Sequence, residues 1–263
     1  MTSTVETDPF LRGRQVVFVR PHSVVQSELL AELIRNEYAV AVLADHTRVR
    51  DLFRLYPEGI AFLNIDEGYP EPEWATLVRE AEEDPATASV RIGILTYNTD
   101  PELSHKYLLE LMVACGYVKL SLELAESKKT ILKVLEANEA KGRRQYIRVP
   151  CPEGSANLNV MDEGTAFRGT LVDISSVGMA CFFEVDPGFK VRSMVQGIQL
   201  KLRGVLCQVT GVVMGSRPDA QGKNLYVLLF DPRTTDEIRE KIRVYLRKSL
   251  QFRLDADLAA NAS

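Results

Sequence analysis

Cysteine is scarce in this 263-residue chain. Its four cysteines, Cys115, Cys151, Cys181 and Cys207, stand far apart in apolar segments and never as a Cys-x-x-Cys pair. That excludes a zinc ribbon and predicts buried free thiols in a reducing compartment. The three histidines, His22, His46 and His105, lack metal-ligand spacing, so no metal is expected. No apolar run approaches the ~20 residues that cross a bilayer. The opening Met-Thr-Ser-Thr-Val-Glu-Thr-Asp lacks the basic and apolar regions of a signal peptide. A cytoplasmic protein without membrane insertion is therefore expected. There is no nucleophile–base pair and no glycine-rich phosphate cradle, so no enzyme is expected. A net charge of -4 argues against a DNA or RNA coat and makes any anion site a local one.

The length points to two domains. Hydrophobic residues at 46% and charged residues at 26% are enough to fill real cores. Residues 1–12 read as a polar, disordered tail. From Gln15 to Ala140 short apolar runs alternate with amphipathic helical patterns. The runs are Gln15–Arg20, Ala39–Ala44, Ile60–Ile65, Val90–Tyr97 and Tyr117–Leu122. Helices are predicted from Ser23, over His46–Tyr56, Glu73–Glu83 and Glu102–Cys115, and over Glu126–Ala140. Five strand–helix repeats imply a parallel sheet covered on both faces, a flavodoxin-like domain over 13–138. Downstream the texture changes to short alternating runs at 157–161, 166–173, 179–184, 195–203, 205–215 and 224–230. Six such strands separated by turn residues predict an antiparallel β-barrel. A helix follows from Asp236 with Ile238, Ile242, Tyr245, Leu246 and Leu250 on one stripe. The second domain is expected over 139–255, with a basic junction at 139–150 and a fraying tail at 256–263.

The junction holds Lys141, Arg143, Arg144 and Arg148. An arginine fork grips phosphate with two parallel hydrogen bonds, matches guanine O6 and N7, and stacks on a purine. Arg144 and Arg148 would lie ~13 Å apart on one side of an extended chain, a span suited to a dinucleotide. The same spacing recurs at Arg50/Arg54 and Arg239/Arg243/Arg247, which read as solvated helix faces. What distinguishes Arg144/Arg148 is Asp173-Ile174-Ser175-Ser176-Val177-Gly178, an Asp-x-Ser-x-x-Gly at a strand end. Asp173 can accept from guanine N1 and N2, donors that arginine cannot satisfy. Ser175 offers a hydroxyl, and Gly178 allows a tight turn and close backbone approach.

Arg143-Arg144-x-x-x-Arg148 followed by Asp173-x-Ser175-x-x-Gly178 resembles the PilZ domain, over roughly Glu139 to Phe252. The resemblance implies a small β-barrel receptor for cyclic di-GMP with no cofactor. Arg144 and Arg148 would take phosphates and guanine edges, Arg143 would stack or add charge, and Asp173, Ser175 and Gly178 would read the other guanine. It further implies a change of interdomain angle on binding and a bacterial protein partner in motility, adhesion or signalling.

The first half resembles a response-regulator receiver. Thr96 matches its switch threonine and Lys119 its strand-five lysine, although Leu120 stands where a proline is usual. The acidic side departs from the pattern: Arg20-Pro21-His22 follows the first strand, and Asn64 occupies the phosphoacceptor position. Asp66, two residues on, could serve only with a shifted register. Without clustered carboxylates there is little to hold the cation of phosphoryl transfer. The expectation is a pseudo-receiver used for protein contacts. The alternatives are a phosphorelay regulator with a barrel output, and an interaction scaffold that binds no ligand.

Overall fold

A computed structural model describes residues 13–23, 25–121, 124–142 and 145–261. The chain forms two compact units. One takes residues up to 145 together with 250 onward, and the other is Tyr146–Ser249. Residues 139–145, expected with the barrel, thus fall in the first unit, as does the end of the last helix.

The first unit is built on β1 (Val16–Val19), β2 (Val40–Leu43), β3 (Ile60–Asn64), β4 (Arg91–Thr96) and β5 (Tyr117–Lys119). All neighbours are parallel, in the order β2-β1-β3-β4-β5. The strands are short apolar runs because helices cover both faces and leave no solvated side to alternate with. Phe18 and Phe62 stack at 5.1 Å across β1 and β3. The helices are α1 (Leu30–Arg35), α2 (Val49–Leu55), α3 (Glu71–Glu83), α4 (Pro101–His105) and α5 (Leu124–Ala137). On α3, Trp74, Leu77, Val78 and Ala81 recur at helical spacing, and all four are buried.

Two predicted helices take a different form. The one from Ser23 runs as a π-helical turn, Val25–Leu29, into α1, and Val24 lies outside the described residues. The one predicted to Cys115 ends at Glu110, after α4 and a π-helical turn. Beyond it Leu111, Val113 and Cys115 are buried alternately, and the Cys115 amide bonds Ile92 O at 2.9 Å, so the sheet edge captures this segment.

The second unit contains β6 (Arg148–Pro150), β7 (Ala156–Asp162), β8 (Thr165–Ser175), β9 (Gly178–Phe183), β10 (Met194–Leu202), β11 (Val205–Pro218) and β12 (Asn224–Phe230). The order β8-β7-β10-β11-β12-β9 closes on itself through the β8–β9 pairing, and every ladder is antiparallel. This is the predicted six-stranded barrel. Ring closure removes the free edges that an open sheet would expose. The interior takes alternate residues, among them Ile174, Met179, Ile198, Leu200, Val213 and Leu228, each at most 1% exposed. β6, which no sequence pattern indicated, pairs outside the ring with the end of β8.

Helix α6 (Asp236–Ala260) extends past the predicted fraying point. Leu254 and Leu258 are buried in the core of the first unit, which is why 256–260 is helical rather than a tail. The arginines of α6 are also less solvated than expected. Arg239 is half-buried, with its guanidinium on the carbonyls of Pro232 (2.9 Å) and Thr234 (3.1 Å).

Candidate functional site

The Asp-x-Ser-x-x-Gly motif is the β8–β9 hairpin. Ser175 and Gly178 pair across it, and Ser176-Val177 makes the turn. The Ser175 hydroxyl donates to Gly178 O at 3.1 Å and accepts from the Val177 amide at 3.4 Å. The hydroxyl therefore holds the turn. Gly178 is required by proximity: a Cβ there would lie 2.5 Å from Leu228 O on β12. Only glycine lets β9 approach that strand so closely.

A bulge between Leu171 and Asp173 resets the alternation of β8. Ile174 points into the barrel and is fully buried, so Asp173 and Ser175 belong to the opposite face. That face is nearly closed at this point, with Asp173 4% and Ser175 2% exposed. β6 lies alongside. Arg148 stands opposite Ser175, and Pro150 opposite Asp173. This register puts Arg148 Nε 3.4 Å from Asp173 Oδ1, an ion-pair contact longer than a strong hydrogen bond. The buried carboxylate acts on its surroundings. Burial chiefly, and its charge secondarily, push the Cys181 thiol up to about 12.

Arg148, Asp173, Ser175 and Gly178 are thus brought together on one β8–β9 corner. Arg143 and Arg144 lie outside the described residues. Of the stretch 144–148, assumed to be extended, Gln145 and Tyr146 form a bend and Arg148 begins β6.

A second polar cluster lies at the carboxyl ends of β1, β3 and β4, beside the β1/β3 switch point where open α/β sheets place ligands. Asn64 closes β3 and is fully buried; its amide donates to Arg20 O (2.7 Å) and accepts from the Asp66 amide (3.1 Å). The first bond holds Arg20 at φ +46°, a left-handed conformation that a non-glycine residue adopts at a cost. Asp66 accepts from the Thr96 hydroxyl and from the Tyr97 amide at 2.8 Å, and its Oδ2 lies 3.0 Å from His22 Nε2. His22 Nδ1 faces Glu67 at 3.6 Å, and Arg20 pairs with the same Glu67 at 3.3 Å. Asn64, Asp66 and Thr96 are therefore linked by hydrogen bonds, while Lys119 is exposed at the end of β5. The partnership of His22 with Asp66 was not read from the sequence, although His22 sits just past the first strand, where loops converge.

Among the described residues, no group of three His, Cys, Asp or Glu side chains could hold a metal, and no helix is long and apolar enough to cross a membrane.

Comparison with known proteins follows these two sites. The model of the PilZ domain matches residues 142–248, a stretch that contains both halves of the motif and the closed barrel. The chain thus carries a PilZ domain in its second half. Its solved structural neighbours include the PilZ domain with c-di-GMP of YcgR from Escherichia coli, at 16% identity and TM-score 0.37, covering 46% of this chain and 99% of that one. The K. pneumonia MrkH–c-di-GMP complex aligns at 17% identity and TM-score 0.36, covering 40% of this chain and 51% of that one. A signal receiver domain of two-component signal transduction from Clostridium thermocellum aligns at 15% identity and TM-score 0.38, covering 47% and 98%. The match spans 50% of the longer YcgR chain, as it does about half of MrkH. No curated protein sequence matches this chain.

Proposed function

We propose that this protein is a receptor for cyclic di-GMP that acts by binding rather than by catalysis. The observation that carries the reading is the placement of Arg148 and Asp173 side by side at the β8–β9 corner, inside the stretch that matches the PilZ domain. Arginine supplies a fork for phosphate or for guanine O6 and N7, and the carboxylate accepts from guanine N1 and N2. In this reading Arg144 and Arg148 take phosphates and guanine edges, and Arg143 stacks on a base. Asp173, Ser175 and Gly178 form the seat of the second guanine.

The dinucleotide brings two negative charges to a junction with four cations between 141 and 148. Binding orders that junction and alters the arrangement of the two units, which is the output read by a protein partner in the bacterial cytoplasm. The first unit serves as a pseudo-receiver for protein contacts, because Arg20 and His22 stand where the acids of a phosphorylation site would be.

Calorimetric titration with cyclic di-GMP tests the proposal and yields stoichiometry. Wild type should bind, and Arg144→Ala and Arg148→Ala should each weaken binding by roughly 10-fold or more, the cost of a charge-assisted contact. Wild-type affinity in either variant, with the fold intact by circular dichroism, removes that arginine from the site. Absence of binding by wild type removes the function.

A further inference from the structure

Strand β11 outruns the strand beside it. β10 pairs with β11 only as far as Met194 opposite Val212. The chain just before β10 adds two bonds to Val213: its carbonyl accepts from the Arg192 amide at 2.7 Å, and its amide donates to Ser193 O at 3.0 Å. That chain then turns away over 190–193, where the Ser193 amide donates to Lys190 O at 3.0 Å. Residues 214–218 of β11 pair with β12 alone, from Gly215 opposite Val227 to Pro218 opposite Asn224. Past Val213, β11 therefore keeps an open edge, a short row of backbone donors and acceptors with no strand beside it.

The side chains around this edge are cationic and apolar. Lys190 and Arg192 stand in the turn at its foot and Arg217 on the edge itself, all exposed. Among the described residues, no carboxylate forms an ion pair with any of them. The neighbouring acids are engaged elsewhere. Asp186 accepts from the Tyr226 hydroxyl, the Asn224 side-chain amide (2.6 Å) and the Gly188 amide (2.9 Å). Asp219 accepts from the amides of Gln221 (2.9 Å) and Lys223 (2.8 Å). Val191, Met194 and Met214 are 54%, 52% and 54% exposed. Methionine is flexible and polarizable enough to pack against varied partners.

A second copy of the chain is a poor match for this edge. Antiparallel self-pairing of 214–218 would bring the cations of one copy against those of the other, and Pro218 has no amide to offer. A nucleic acid or an anionic membrane would satisfy the cations and leave the backbone groups without strand partners. An acidic extended segment satisfies both.

We infer that residues 214–217 of β11, with the turn 190–193 at their foot, form a docking edge for an acidic, extended segment of a partner protein, which adds a strand beside β11. The inference goes beyond the cyclic di-GMP reading and does not depend on it, because none of these residues belongs to the proposed nucleotide site.

The test is nuclear magnetic resonance titration of the full, isotope-labelled chain with a terminally blocked peptide of about six residues that alternates glutamate and valine, so that its acids share one face of a strand. Saturable shifts are expected at the amides of 213–217 and 190–194. Arg217→Glu and Lys190→Glu, both at exposed positions, should each weaken binding by roughly 10-fold, the cost of a charge-assisted contact, and leave the melting temperature unchanged. A lysine–valine peptide should not bind. Nor should the acidic peptide N-methylated at every residue, which keeps its charge and has no backbone donor left. The docking edge is overturned if the acidic peptide shifts no amide in these segments, or if its N-methylated form binds as tightly, which reduces the contact to charge attraction. It is also overturned if the same amides respond more strongly to single-stranded DNA, to phosphatidylglycerol vesicles or to a rise in protein concentration alone, for the occupant is then a nucleic acid, a membrane or a second copy.

Discussion

The hydroxyl of Thr96 donates to Asp66, joining the end of β4 to the loop after β3. The other carboxylate oxygen takes the Tyr97 amide at 2.8 Å and faces His22 at 3.0 Å. Both oxygens are therefore engaged in tying loops together, and among the described residues no group of three His, Cys, Asp or Glu side chains could hold a divalent cation. Incubation with acetyl phosphate and magnesium should leave the intact mass unchanged. A stable phosphoryl adduct that disappears in Asp66→Asn would show that this carboxylate is a phosphoacceptor after all.

The last turns of α6 complete the first unit. Gln251 bonds Val42 twice, accepting from its amide and donating to its carbonyl, both at 2.9 Å, so a side-chain amide imitates a neighbouring strand on the edge strand β2. Tyr56 donates to Asp257 at 2.5 Å, and Arg48 donates to Leu258 O at 2.7 Å. Leu254→Ala should cost about 2–5 kcal/mol, the usual toll of emptying a buried leucine site. A thermal melt of that variant beside Asp255→Ala, at an exposed position, reads it. Equal melting temperatures would mean that the helix end contributes nothing to the core.

Gly178→Ala should destabilise the barrel by about 1–3 kcal/mol, because the new methyl would press on Leu228 O, a backbone atom that cannot swing aside. Gly215→Ala is the control: nothing lies within 4 Å of its Cβ, and its φ is not in the left-handed region. Chemical denaturation should separate the two clearly. A Gly178→Ala barrel as stable as wild type would mean that β9 and β12 have slack.

The thiols should be slow to alkylate. Burial pushes Cys115 and Cys181 up to about 12 and Cys151 up to about 11, so the reactive thiolate is a minute fraction at pH 8. Mass spectrometry after iodoacetamide treatment should show little labelling in the native protein and full labelling in denaturant. Cys151, the one thiol not fully buried, should be first. Stoichiometric native labelling within a minute would contradict the burial.

What the sequence disclosed was governed by periodicity. The barrel strands were legible because half their residues face water and half face the core, as in Ile198-Gln199-Leu200-Lys201-Leu202, exposed only at Gln199 and Lys201 among these five. β6 was not legible because three residues ending in Pro150 carry no period at all. The segment after Glu110 was misread as helix because Leu111, Met112 and Val113 are apolar whether helical or not, and only the Cys115–Ile92 hydrogen bond decides the matter. The end of α6 had a signal in the four-residue spacing of Leu246, Leu250, Leu254 and Leu258, masked by the Ala- and Asp-rich composition around it. At the site, residue types named Arg148 and Asp173. Their pairing with each other depended on a ladder register that no local pattern encodes.

The placement of residues 250–260 in the first unit also bears on synthesis. A ribosome delivers the β1–β5 sheet early but delivers Leu254 and Leu258 only after the barrel sequence. At ~5–20 residues per second, the intervening barrel sequence takes roughly 5–20 s to emerge. Throughout that interval the hydrogen-bonding edge of β2 and the apolar seats of Leu254 and Leu258 stay open on the nascent chain. The first unit is therefore completed only after the barrel has been made, and a premature stop before Leu254 would harm the unit that was begun first.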